Sequence, residues 1–107
     1  MQYKVYTTPE FDSLLSKLPK DDQEAINNLM KNELPLHPYQ GKPLGFKFLR
    51  EKKIRGRRVY YLIYDEYILV LMVAIGDKRT QAKDIHEIKR NREEFLRLAK
   101  EIFKQPF

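Results

Sequence analysis

The chain has no cysteine among its 107 residues, so neither disulfides nor thiolate metal sites can hold it together. The fold rests on packing alone, which fits a reducing compartment. Its two histidines, His37 and His86, stand too far apart for a zinc-binding spacing. Acidic residues are scattered, and there is no carboxylate cluster for a two-metal nuclease, no glycine-rich phosphate loop and no Ser/His/Asp arrangement in a recognisable context. No cofactor and no metal is expected. Long apolar runs are missing too. The longest, residues 67–75, is too short to span a bilayer, and the N-terminal MQYKVYTTPEF lacks an apolar core of signal-peptide length. The expectation is a soluble, cytoplasmic protein with no membrane partner.

What is present is enough for one core: 42% of the residues are hydrophobic, and the length suits a single domain over residues 1–107. Alternation over Gln2 to Tyr6 predicts a short strand. Thr8-Pro9-Glu10 opens a helix, with threonine as cap, proline at the first helical position and glutamate at the positive end of the dipole. Phe11, Leu14, Leu15 and Leu18 follow at helical spacing. After Pro19, Asp21-Asp22 opens a second helix with Ala25, Ile26, Leu29 and Met30 on its apolar face, giving a helical hairpin.

Prolines and glycines between Pro35 and Gly45 predict an irregular connection back to the sheet. Three strands are expected next: Phe46 to Ile54, Arg57 to Tyr64 and Tyr67 to Ile75, joined by turns at Arg55-Gly56 and Asp65-Glu66. The last of them, YILVLMVAI, is apolar at every position, as in a central strand covered on both faces. A long C-terminal helix over about residues 83–105, with Ile85, Ile88, Phe95, Leu96, Ala99, Ile102 and Phe103 along one stripe, is available to cover the second face. The order β-αα-βββ-α predicts an α+β fold, a small antiparallel sheet packed by an N-terminal helical hairpin and a C-terminal helix.

Charge is concentrated in one place. The segment Lys47 to Arg58, KFLREKKIRGRR, carries seven Lys/Arg and one acid, Glu51; seven minus one is +6, the net charge of the whole chain. An excess confined to one hairpin and followed by tyrosines describes a polyanion site. The same charges also suit a solvated hairpin guarded against edge-to-edge association. Alternation puts Arg57, Val59, Tyr61 and Ile63 on one strand face and Arg58, Tyr60, Leu62 and Tyr64 on the other. Arginine offers bidentate donors to a phosphodiester and lysine a point charge. Lys47, Arg50, Arg55, Arg57 and Lys78 are the candidate RNA contacts, with Tyr60 the one tyrosine picked as a stacking platform. RNA supplies its own nucleophile, the 2′-hydroxyl, so cleavage without metal needs only a base, an acid and cations at phosphorus. A lysine among other cations suits the base, and Lys52 and Lys53 are the candidates. Lys78 and Arg79 close the basic region from the next strand, and His86 is a candidate acid.

The run GRRVYYLIYDEYILVLMVAIGDKR, residues 56–79, resembles the end of the sheet in the RelE/ParE superfamily of toxins from type II toxin–antitoxin systems. The resemblance rests on glycine, one residue and arginine, a β run ending in tyrosine, a turn, a very apolar strand and a basic pair. It implies a small toxin that cleaves mRNA on the ribosome (the RelE branch, favoured here) or poisons DNA gyrase (the ParE branch), held by a cognate antitoxin. A non-catalytic RNA-binding protein is a further alternative. By the same resemblance Arg58 and Arg79 match the family's phosphate-facing arginines, and Lys47, Lys52 and Lys53 its second-strand lysines. The tyrosine that RelE-like enzymes carry after the basic pair is missing. Ile85 and His86 stand in its neighbourhood, and the helix is longer than the usual tail.

Overall fold

The computed structural model describes residues 2–105. Five strands form one sheet in the order β1-β5-β4-β3-β2: β1 is Lys4–Thr7, β2 Lys42–Pro43, β3 Leu49–Ile54, β4 Arg57–Tyr64 and β5 Leu69–Gly76. The three-strand meander is antiparallel, as is β2 on β3, whereas β1 lies parallel to β5. The sheet is therefore mixed. A parallel first strand needs a crossover before the meander can return beside it, and the helical hairpin supplies part of that connection.

That hairpin is α1 (Pro9–Ser16) and α2 (Lys20–Asn28). Thr8 caps α1 by accepting from the Phe11 N–H at 3.1 Å, with Pro9 in the first turn and Glu10 and Asp12 at the positive end of the dipole. The Gln23 side chain donates to the Leu18 carbonyl at 2.8 Å and closes the inter-helix turn. A π-helical turn, Leu29–Glu33, follows α2. The proline-rich connection is pinned to the sheet by buried Tyr61, whose hydroxyl donates to the Pro38 carbonyl (2.8 Å) and accepts from the Gly41 N–H (3.1 Å). At position 41 a side chain would collide with that hydroxyl and with the Glu51 carbonyl, so glycine is required there.

Strand β3 begins at Leu49, later than the sequence predicts, because Phe46 to Phe48 form a loop that turns their rings toward the C-terminal helices. Arg55 and Gly56, both with positive φ (50° and 80°), make the two-residue hairpin turn into β4. A β-bulge interrupts the β4–β5 ladder: Tyr60 faces Ala74, and Tyr61 faces Met72. Val73 is the extra residue, which lets consecutive Val73 and Ala74 both reach the same hydrophobic cluster.

The C-terminal helical stretch is two helices, α3 (Gln81–Arg90) and α4 (Arg92–Lys104), divided at Asn91, whose φ −98°, ψ 13° departs from helical values. The break lets both pieces lie on the sheet. One core cluster (Phe11, Ile26, Leu29, Val59, Tyr61, Met72) fills the side of α1 and α2, and a second (Leu49, Tyr60, Leu62, Leu71, Ile88, Ala99) the side of α3 and α4. β5 is thus covered on both faces, as its uninterrupted apolar sequence predicts. No helix among the described residues is long and apolar enough to cross a membrane.

Candidate functional site

Strand parity sorts the basic hairpin into two faces. Lys53 and Arg58 are Cα partners on the β3–β4 ladder, and Arg58 faces Gly76 at the end of β5. Both lie on the α3 side, one residue pair from the hairpin turn. Lys52, opposite Val59, lies on the α1/α2 side with Arg50. The two candidate lysines therefore differ: Lys53 shares a face with Arg58, and Lys52 does not. Lys78 and Arg79 follow directly on β5 and are exposed at this same end of the sheet. The Arg79 side chain is 90% exposed and lies 3.4 Å from the Asp77 carboxylate. The Asp77 side chain also accepts from the Arg79 N–H at 2.8 Å, which fixes the turn that presents this arginine.

Glu51, the single acid of the basic run, is what sequence reasoning missed. It shares a face with Leu49 and Lys53 and is buried, with its side chain 1% exposed. One oxygen accepts from Arg58 Nη1 at 3.0 Å and the other from the Gln81 amide at 2.8 Å. Arg58 is 13% exposed, so its charge is largely matched inside the protein. Gly76 makes the arrangement possible: a side chain there would strike the Asp84 carboxylate and Thr80 hydroxyl, which bond to each other at 2.7 Å. The first turn of α3 thus sits directly over Arg58. The signal was available in the period-2 pattern, since an acid flanked at two-residue spacing by Leu49 and Lys53 faces the covered side.

Three sequence-stated roles do not fit the geometry. Tyr60 is fully buried in the second cluster, so its ring is not a platform for a base. Its hydroxyl has no hydrogen-bond partner among the described residues, and burial, then the Glu51 and Asp84 charges, push the phenol well above its ordinary value. Arg50 is a strap for the backbone. It donates to the carbonyls of Lys47 (2.8 Å), Tyr39 (3.2 Å) and Gly41 (2.9 Å), and its guanidinium lies 4.9 Å from the Tyr39 ring centroid. His86 is exposed, and the helical period opposes it to Gln81, Asp84, Ile85 and Ile88, the residues with which α3 meets the sheet. It points away from Arg58.

Arg55 and Arg57 converge instead on Asp22 of α2. Arg55 Nε lies 2.6 Å from one carboxylate oxygen, and Arg57 Nε and Nη2 lie 3.3 and 3.2 Å from the other. The Arg55 bond first, with Arg57 adding to it, holds the Asp22 carboxyl below its ordinary value against the opposing effect of burial. This triad buttons the hairpin turn to the helical layer. Lys47 is exposed in the loop before β3, its ammonium 5.6 Å from the Tyr39 ring centroid. Of the candidate residues, the structure brings together Lys53, Arg58, Lys78 and Arg79. It places Lys47, Lys52, Arg50, Arg55, Arg57 and His86 elsewhere.

This mixed five-stranded sheet, with a helical hairpin on one face and C-terminal helices on the other, is similar in fold to solved structures of RelE toxins. The toxin–antitoxin complex RelBE2 from Mycobacterium tuberculosis matches it with a TM-score of 0.65 at 25% identity, over 73% of this chain and 93% of that chain. An arginine-substituted RelE from E. coli in the free state gives 0.70 at 21% identity, over 84% and 98%. The archaeal RelE–RelB complex from Pyrococcus horikoshii gives 0.53 at 19%, over 73% and 97%. No protein-family model and no curated protein matches the sequence.

Proposed function

We propose that this protein is the toxin of a toxin–antitoxin pair, a RelE-like endoribonuclease that cleaves mRNA on the ribosome without a metal ion. The observation that carries the reading is the pairing of Lys53 with Arg58 on one ladder, beside exposed Arg79, on a sheet of the RelE fold. Lys53 accepts the proton of the RNA 2′-hydroxyl, the 2′-oxygen forms its bond to phosphorus, and the bond from phosphorus to the 5′-oxygen breaks as that oxygen takes a proton from solvent water. The products are a 2′,3′-cyclic phosphate and a 5′-hydroxyl end. Arg79 and Arg58 face the charge that develops on the non-bridging oxygens. Glu51 orients Arg58 through Nη1 and leaves the other guanidinium donors for phosphate.

The partner follows from the same likeness. Solved structures that this chain resembles are complexes of RelE with the antitoxin RelB, and a cognate antitoxin is proposed here by that analogy. A second reading, a non-catalytic RNA-binding protein, is favoured by one observation: most of the Arg58 charge is already spent on buried Glu51. Induced expression in translating cells, with mapping of mRNA 5′ ends, separates the two. New 5′-hydroxyl ends phased to codons with the wild type and lost with Lys53→Gln support cleavage. Growth arrest with intact transcripts supports binding alone, and a DNA-damage response instead would point to gyrase.

A further inference from the structure

We infer that the loop between β2 and β3, together with the junction of α3 and α4, forms a second contact for the unpaired RNA substrate strand, away from the Arg58 centre. This rests on the RNA-directed reading above and adds a surface that reading does not use. Phe46 and Phe48 lie half-buried and stacked, their centroids 5.0 Å apart and their planes 7° from parallel. Lys89 Nζ lies 5.3 Å and Arg92 Cζ 5.9 Å from the Phe46 ring centroid, one from the end of α3 and one from the start of α4. Lys47 stands between the two phenylalanines in sequence and is exposed.

The site has been shaped locally. Gly45 has φ 91°, a conformation that favours glycine, and this turn brings its backbone beside the Lys89 ammonium. The Arg92 guanidinium donates to the Lys89 carbonyl at 2.9 Å, which fixes one cation relative to the other. Residues 34 to 50 contain no Asp or Glu, so the acids near the patch come from other elements: Asp65, Glu66 and Glu93 line the cavity beside Phe48 and Arg92. The nearest carboxylate to the Tyr39 ring, Asp65, is taken up by the hydroxyls of Tyr3 and Tyr39, both at 2.7 Å.

The Phe46 ring is stacked on Phe48 and carries Lys89 and Arg92 over it, so this cluster meets the two needs of a single strand through a planar guanidinium for stacking and cations for its phosphates. A guanidinium over a ring is itself a surface on which a base stacks. Geometry joins the patch to the proposed centre. Gln81 at the start of α3 touches Glu51 beside Arg58, and Lys89 near its end touches Phe46. Eight residues of α-helix separate them by about 12 Å, a few nucleotides of strand. A strand laid along α3 would reach both.

The test is fluorescence-anisotropy titration of an unstructured, labelled RNA 15-mer over a range of salt, with ribosomal subunits free of mRNA as a second binding arm. Lys89→Gln/Arg92→Gln should weaken binding to the free oligomer and flatten its log–log salt dependence by about 1 to 1.5, the share of two phosphates on a single strand. Phe46→Leu keeps the apolar packing and should weaken binding by about tenfold or more with the salt slope unchanged, as loss of one stacked base does. A thermal melt of each variant verifies the fold. Affinity and slope equal to wild type in both variants overturn the inference and leave the patch to a protein partner. A loss confined to the ribosome arm overturns it as well. Because binding is read without cleavage, failure here is distinct from failure of the nuclease reading, which shows as uncut message.

Discussion

At the scale of single residues, the chemistry turns on what Arg58 is bonded to. Replacing it with alanine leaves the Glu51 carboxylate buried without its cation, and removing one partner of a buried ion pair costs about 3–5 kcal/mol. Arg58→Ala should therefore lower stability as well as activity, and loss of toxicity in that variant alone does not identify a catalytic role. The double variant Glu51→Leu/Arg58→Met removes both charges and should recover most of that stability in denaturant titration; a double variant as unstable as the single one would contradict this pairing. Tyr60 gives a second residue-level expectation. Its hydroxyl has no hydrogen-bond partner among the described residues, so Tyr60→Phe should raise stability by about 1 kcal/mol. A loss of stability would show that this hydroxyl is bonded after all.

Elements were more legible in the sequence than the contacts that join them. The Thr8-Pro9-Glu10 start of α1 is written in residue types alone, and Thr8→Ala should cost about 1 kcal/mol through loss of the cap. The Arg55-Gly56 turn, the parity of β4 and the two-sided burial of β5 were equally readable, since each depends on local pattern. The break at Asn91 and the late start of β3 were not, because both serve packing of distant elements. Nor was the Asp22–Arg55–Arg57 triad, which joins residues more than thirty apart. At a helix start, Asp22 reads as a dipole partner; in the structure it is the anchor of the hairpin. Its carboxyl is held below the ordinary value, so its contribution is complete above about pH 4 and is lost as pH falls through the folded-state value. Melting Asp22→Asn beside wild type at pH 7 and pH 2 checks the sign: the variant should be the less stable at neutral pH, and the gap should close in acid.

For the whole molecule, the positive charge that the sequence concentrates in residues 47–58 is not a single surface. The fold divides it among a buried pair with Glu51, a button on Asp22, a backbone strap at Arg50 and a small exposed group at the hairpin end. Composition could not reveal that division, because it is set by strand parity and by helices that arrive from elsewhere in the chain. Among the described residues, Lys53, Lys78 and Arg79 are exposed at one end of α3, Lys47 and Arg92 are exposed and Lys89 half-buried around Phe46 at the other, and Lys52 is half-buried on the opposite sheet face. Primer extension on a defined message in a purified translation system, with the protein added to paused ribosomes, tests the proposed function most directly. Codon-phased cuts bearing 5′-hydroxyl ends, present with wild type and absent with Lys53→Gln at equal folded concentration, are the expected result; a message that stays intact, or cuts that persist in the variant, would contradict it.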